Sequence, residues 1–289
     1  MGIFCKKNKV ETFTISAATD KGIRKMNQDN LYLMEQTLDH TQLGVYERTK
    51  KVSRFPIILG VFDGMGGERS GEEASELAAD LMCEIETDRL LDMEDEDLEM
   101  ELCGFLRSIS NEIHHEYGLK GIRAGCTGTL CYIDQGRILF INAGDSPAFL
   151  YMNGECHVMS VADNQAGQLY RLGRISEEES WTHPMKSRLT QFLGMNPEEV
   201  ILSPHTKLVH YQPGQKFVAL IGSDGLTDGM PMNKLRYLAF SLKEPEDDAT
   251  VEIGRDLDLL ISGAKDLVKK SIRGGSRDNV TAILVTNME

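Results

Sequence analysis

Three times along the 289-residue chain an apolar run ends in an aspartate followed by a small residue. The segments are IILGVFDG at Asp63, ILFINAGDS at Asp145 and VALIGSDG at Asp224. SRDNVTAILV is the mirror case, with Asp278 just before such a run, and Asp29 in RKMNQDN stands just before Leu31 and Leu33. Short apolar runs bounded by turn formers read as strands, so each carboxylate stands at a strand end. Any one of them is most simply a turn with its carboxylate in water. Five together constrain the fold more sharply. Strand ends of one sandwich converge, and carboxylates within a few ångströms repel one another unless a cation neutralises them.

The other periodicities supply the scaffold. Apolar alternation and short runs predict strands at Thr12 to Ala18, Ile57 to Phe62, Leu130 to Ile133, Ile138 to Ile141, Phe217 to Ile221 and Val280 to Val285. Gly136 in YIDQGRILF and Asn153-Gly154 in FLYMNGECHVM mark tight connections, the second being the strongest short hairpin signal. From 129 to 161 the pattern reads as one antiparallel meander. Helical spacing appears at Ser70 to Thr87, at about Asp97 to Tyr117, and at Val251 to Ile272 with Gly274 as its stop. Helices in blocks between runs of hairpin strands disfavour a βαβ order and predict an α+β fold, a central antiparallel β-sandwich with helices packed outside. No linker or repeat divides the chain, so 1–289 reads as a single domain. Within it 1–10 is expected to be a flexible N-terminus, and the irregular stretch 163–204 an elaboration bordering a site.

Composition narrows the function. Lys and Arg number 31 against 45 Asp and Glu, a formal charge of −14 that repels polyanions and argues against nucleic-acid binding. No apolar stretch approaches the roughly 18 residues of a membrane span, and the N-terminus lacks a secretory apolar segment. A soluble, cytoplasmic, monomeric protein is expected. The six cysteines, at 5, 83, 103, 126, 131 and 156, form no C-x-x-C pair, and the seven histidines fall into no zinc pattern. They read as reduced core thiols. Carboxylates without Cys or His select hard cations, Mg²⁺ or Mn²⁺, and no segment matches an EF-hand loop. Two such ions about 3.5 to 4 Å apart share a water and ionise it near neutral pH, which makes a hydrolytic nucleophile. Arg24, five residues before Asp29, is a candidate fork for a phosphate oxygen pair.

At this point the motifs form a recognisable series. GIRKMNQDN (22–30), VFDGMGGERSGEEAS (61–75), AGCTGTL, NAGDSPAFL (142–150), LTQFLG, LIGSDGLTD (220–228) and SRDNVTAILV (276–285) follow one another in order. In this the chain resembles the bacterial metal-dependent serine/threonine protein phosphatases of the PP2C (PPM) family. The resemblance implies that Asp63 bridges two catalytic ions, Mn²⁺ or Mg²⁺, with the Gly64 carbonyl as a further ligand. Asp224 and Asp278 would complete the second ion's shell, Asp29 would act from behind or through water, and Arg24 would hold the substrate phosphate. Asp145 with Asp224 would form a third metal site. It also implies phosphorylated protein substrates of a serine/threonine kinase, attacked by a metal-bridging hydroxide without a phosphoenzyme. Three positions depart from the family pattern. Met65 stands where eukaryotic members carry a histidine, Pro147 where arginine is usual, and Asn164-Gln165 in place of His-Ser.

Two other readings fit the same motifs: a pseudophosphatase that keeps the fold as a binding module, and a metal-dependent phosphodiesterase or nuclease. All five aspartates and the arginine are present, which favours the phosphatase. A thiolate phosphatase is disfavoured because the cysteines read as reduced core thiols.

Overall fold

The computed structural model describes residues 11–38, 45–66, 70–237 and 263–288. The first part of the chain gives β1 (Phe13–Asp20), β2 (Asp29–Leu33), β3 (Val45–Val52) and β4 (Ile57–Gly66). Three helices follow, α1 (Ser70–Leu81), α2 (Thr87–Leu90) and α3 (Asp95–Glu116), then β5 (Ala124–Cys126), β6 (Gly128–Ile133), β7 (Arg137–Ala143), β8 (Ala148–Met152) and β9 (Glu155–Val158). Two short helices, α4 (Gln165–Arg171) and α5 (Glu177–Thr182), lead to β10 (His205–His210) and β11 (Phe217–Gly222). The last elements are α6 (Asp224–Gly229), α7 (Met232–Tyr237), α8 (Ala264–Arg273) and β12 (Val280–Thr286).

The strands form two antiparallel sheets, ordered β3-β1-β12-β11-β8-β9 and β10-β7-β6-β4-β2, with β5 paired to the C-terminal end of β4. The apolar runs are nearly continuous because both faces of each sheet are covered. Along β4, Ile57, Leu59 and Val61 enter the core between the sheets, while Ile58 and Phe62 pack outward with α1 and α3. Along β12, Ile283 and Val285 face the same central core, and Ala282 and Leu284 pack with Leu226 of α6 and Leu267 of α8. Three apolar layers thus hold four layers of structure, helix, sheet, sheet and helix. Among the described residues no helix is long and apolar enough to cross a membrane.

The differences from the sequence expectation have physical causes. β3 (VYERTKKV) and β10 (HTKLVH) were not expected, because both are edge strands whose charged side chains erase the apolar period. The meander expected from 129 to 161 is instead two hairpins in different sheets. β7 pairs with β6 and β10, and β8 pairs with β9 and β11. The chain crosses between sheets after Gly144, whose φ of +110° suits glycine. A hairpin and a crossover both need a turn, so local pattern does not separate them. The Asn153-Gly154 turn does close a hairpin, with φ of 55° and 77° at the two residues. The helix expected over Ser70 to Thr87 ends at Leu81, continues as a tighter turn through Glu84, and stops where Ile85 turns extended. Of the helix expected at Val251 to Ile272, residues 251–262 lie outside the described residues. The rest begins at Ala264, whose N–H donates to Ser16 Oγ at 2.9 Å, and ends at Gly274.

Register decides where the site lies. Asp29 pairs with Asp63, Gly128 with Ala143, Ile221 with Ala148, Gly222 with Ala282, and Asp20 with Val280. The ends of β4, β7 and β11 and the starts of β2, β8 and β12 therefore share one end of the sandwich.

Leu59 is fully buried in the central core, whereas Ile201 is 82% exposed. Leu59→Ala should cost about 2 to 5 kcal/mol in urea unfolding and Ile201→Ala less than about 0.5 kcal/mol. Similar losses for the two would contradict the layer assignment.

Candidate metal centre

Asp29 and Asp63 face each other across the β2–β4 pair. Like charges opposite one another weaken a sheet, so this pairing needs compensation. Asp63 is held by its backbone. Its N–H donates to Thr127 Oγ1 at 3.1 Å, and its carbonyl accepts from the Thr127 N–H at 2.8 Å. Thr127 Oγ1 in turn shares a 2.7 Å hydrogen bond with Ser146 Oγ, tying the Asp63 strand to the turn that carries Asp145. At Gly64 a Cβ would lie 2.2 Å from the Gly71 carbonyl oxygen and 2.5 Å from that of Gln28. The start of α1 crosses β4 so closely that only glycine fits.

Asp29 joins the two sheets. Its Oδ2 accepts from Ser223 Oγ at 2.7 Å and from Thr281 Oγ1 at 2.6 Å. Ser223 directly precedes Asp224, the first residue of α6, and Thr281 lies just beyond Asp278 on β12. Because Thr281 donates to the carboxylate, Thr19 must donate to Thr281 across their 2.7 Å contact, and Asn27 Nδ2 donates to Thr19 at 2.8 Å. The result is a directed chain, Asn27 to Thr19 to Thr281 to Asp29. Asn279 braces the neighbouring loop: its Oδ1 accepts from the Gln28 N–H at 2.8 Å, and its Nδ2 donates to the carbonyls of Lys21 and Met26. That loop carries Arg24. Arg24 Nη2 donates to Asp278 Oδ2 at 2.7 Å and Nε to the Arg277 carbonyl at 2.9 Å, with the side chain about half exposed.

Asp145 lies in the crossover between the sheets. Its Oδ2 accepts from Asn164 Nδ2 at 3.0 Å, while Asn164 Oδ1 accepts from the Gly167 N–H at 2.8 Å and so caps α4. The same asparagine that departs from the family pattern thus links Asp145 to the 163–204 segment. The buried Asp163 anchors the crossover from below, accepting from the Gly144 N–H and from Gln191 Nε2, and pairing with His205 Nε2 at 2.8 Å. Pro147, the other departure in this turn, accepts the Gly222 N–H at its carbonyl.

These carboxylates act on one another. Burial pushes the Asp63 carboxyl well above the usual range, and the charges of Asp29, Asp224, Asp145 and Asp278 push it further. Asp224 is also driven well up, by burial first and then by Asp145, Asp228 and Asp278, with Lys186 opposing. Burial raises Asp29 to about 6 against the two hydroxyl donors, and raises Asp145 to about 6 against the Asn164 amide and Lys186. Asp224 Oδ1 is buried with no hydrogen-bond partner among the described residues, an arrangement that ordinarily signals a missing ligand. As they stand, no three carboxylate, imidazole or thiolate groups among the described residues close around a single point. The all-oxygen donor set, the orphaned oxygen and the mutual repulsion all fit hard divalent cations.

The sequence motifs display the carboxylates but not their supports. Ser223, Thr281 and Asn279 lie inside the quoted segments LIGSDG and SRDNVTAILV, but a hydroxyl or amide beside an aspartate carries the same signal as any turn.

Comparison with known proteins identifies the family. Residues 56–280 match the family described as Protein phosphatase 2C. Over 274 residues the chain is 29% identical to the serine/threonine phosphatase stp of Listeria innocua, covering 92% of this chain and 93% of that one. Over 231 residues it is 27% identical to the serine/threonine protein phosphatase PstP of Mycobacterium tuberculosis, 78% of this chain and 40% of that one. The serine/threonine phosphatase Stp1 from Staphylococcus aureus shares the fold with a TM-score of 0.69 at 23% identity, over 95% of this chain and 94% of that chain. The catalytic domain of PstP in complex with two manganese ions superposes with a TM-score of 0.64 at 22% identity, over 94% and 98%. The chain belongs to the protein phosphatase 2C family, and the enzyme class that its motifs implied, a protein serine/threonine phosphatase, is the one that its relatives carry.

The raised carboxyls set a pH signature. Folded Asp29 and Asp145 hold protons up to about pH 6, whereas unfolded aspartate releases them near pH 4. The folded form binds more protons in that window, so stability from this cluster is full below about pH 4 and is lost as pH rises through about 6. In EDTA the thermal midpoint should climb as pH is lowered from about 8 to 5.5. With Mn²⁺, which favours the ionised cluster, the midpoint should gain most near pH 8 and the slope should flatten. Parallel profiles with and without metal would contradict a cation role for these groups.

Proposed function

We propose that the chain hydrolyses phosphoserine and phosphothreonine of proteins in one step, with water as nucleophile and no phosphoenzyme. The observation that carries this is the end of the sandwich where Asp29, Asp63, Asp145, Asp224 and Asp278 repel one another, with an orphaned oxygen on Asp224. When bound, two Mg²⁺ or Mn²⁺ ions supply a water ionised near neutral pH and the positive charge that a phosphoester needs.

The chain's own residues have separable tasks. Asp63, fixed through its backbone to Thr127, would bridge the two ions, and the Gly64 carbonyl, on a residue wedged against α1, would be a further ligand. Asp224 and Asp278 would complete the second ion's shell. Asp29, with both donors committed to one oxygen, is suited to support from behind. Asp145 together with Asp224 would take a third ion. Arg24 is tethered by Nε and Nη2 to the Arg277 carbonyl and Asp278, so its guanidinium is held beside that carboxylate before substrate arrives. A fork held this way suits two oxygens of a phosphoryl group.

Thiolate chemistry has no support. Cys126 is the cysteine that feels Asp63's charge; burial and then that charge push its thiol well above the usual range, so it is not ionised at neutral pH. Burial likewise raises Cys83, Cys103 and Cys131.

p-Nitrophenyl phosphate and phosphothreonine peptides should turn over with Mn²⁺ and stop in EDTA. Asp63→Asn and Asp278→Asn should each lower kcat by at least about a hundredfold with circular dichroism unchanged. Wild-type rates in either variant would refute the ligand assignment. Arg24→Ala should lower kcat/KM with Mn²⁺ affinity kept, and unchanged kinetics would mean that the arginine serves only as Asp278's surface partner.

A further inference from the structure

A cavity of about 450 Å³ opens beside the proposed metal centre, with Asp145 and Asp224 in its wall. Its other sides come from α4 and α5, from the chain just after β9, and from Lys207 of β10. α5 is fixed by a capping box in which Ser176 Oγ accepts from the Glu179 N–H and Glu179 accepts from the Ser176 N–H. Lys207 spans the edges of the two sheets, its Nζ donating to the Val158 carbonyl at 2.7 Å.

Two residues lining this space carry N–H groups without an acceptor among the described residues. Trp181 Nε1 is buried with no hydrogen-bond partner among the described residues. Lys207 Nζ carries three N–H groups and gives one hydrogen bond among the described residues. Burial lowers the Lys207 pKa, with Glu177 opposing, so its ammonium is short of solvation. A buried donor without an acceptor is destabilising, and an incoming oxygen relieves that cost. The remaining charged groups facing the cavity are mixed. Arg171 and Lys186 are cationic, with Arg171 bonded to the Ala162 carbonyl and Lys186 paired with Asp228. Glu177 opposes them, while Asp145 and Asp224 are directed to the ions in the reading above.

We propose that this cavity is a substrate subsite for an acidic side chain close in sequence to the phosphoresidue, its carboxylate received by the Lys207 ammonium and the Trp181 indole N–H. The proposal rests on the phosphatase reading and adds a substrate class to it, acidic phosphopeptides. A carboxylate has two oxygens for the two donors, whereas an aliphatic side chain would leave both unpaired. The cavity shares Asp145 and Asp224 with the metal centre, so a peptide seated by its phosphate passes the opening within a residue or two.

The test uses the Mn²⁺-loaded full chain and phosphothreonine peptides in which one Glu, or its neutral counterpart Gln, is walked across the positions flanking the phosphoresidue. At one or two positions kcat/KM should be about tenfold higher for Glu than for Gln. In Lys207→Met and in Trp181→Phe, which keeps the ring but not the N–H, that ratio should collapse toward one. A role confined to bracing the sheet edges would scale both peptides alike and leave the ratio intact. No charge preference at any position, or a preference that survives both substitutions, overturns the proposal. Trp181 is the only tryptophan of the chain, so its fluorescence gives a readout independent of turnover. Non-hydrolysable phosphonate forms of the Glu peptide should shift its emission at about tenfold lower concentration than the Gln form. If p-nitrophenyl phosphate is not hydrolysed, the phosphatase reading fails by itself, and this titration still decides the subsite, equal responses to the two peptides refuting it.

Discussion

Repulsion between clustered carboxylates is the interaction around which the molecule is arranged. Asp63 lies opposite Asp29 in the β2–β4 ladder, and the charges of Asp224, Asp145 and Asp278 reach it as well. A chain of this kind would ordinarily dissipate such repulsion by letting the side chains swing into water. Here the backbone of Asp63 is fixed to Thr127, two hydroxyls bind one oxygen of Asp29, and an amide binds one of Asp145. The donors hold the carboxylates in place without neutralising them, which leaves that task to cations.

The sandwich is what makes this placement possible. With three apolar layers burying both faces of both sheets, the strands are locked in register, and a slip of one residue would turn every core side chain to the wrong face. The same register delivers Asp29, Asp63, Asp224 and Asp278 to one end. Asp145 arrives differently, through the crossover at Gly144, and its position depends on Asp163 below and Asn164 beside it. The 163–204 segment is therefore connected to the candidate centre through hydrogen bonds as well as through the cavity it borders.

Much of this was legible in the sequence. Strands with both faces buried announce themselves as unbroken apolar runs, so β4, β11 and β12 were readable, and an aspartate at the end of such a run has a defined place. The edge strands β3 and β10 were not, because solvent on one side removes the pattern. Nor was the exchange of sheets between β7 and β8, since strand partnership is settled by contacts distant in sequence. Ser223, Thr281 and Asn279 were hidden for a related reason: their meaning depends on Asp29 and Gln28, more than 190 residues away. Arg24 is a candidate from its place five residues before Asp29 as well as from the family motif, but its tether to Asp278 and the Arg277 carbonyl appears only in three dimensions.

The central claim is that these carboxylates gather a pair of hard divalent ions, and electron paramagnetic resonance of the Mn²⁺-titrated protein addresses it most directly. The account predicts a spin-coupled Mn²⁺ pair, about 3.5 to 4 Å apart, that forms in the wild type and is lost in Asp63→Asn. Isolated, uncoupled Mn²⁺ at every stoichiometry, or a coupled pair that persists without the Asp63 carboxylate, would contradict it.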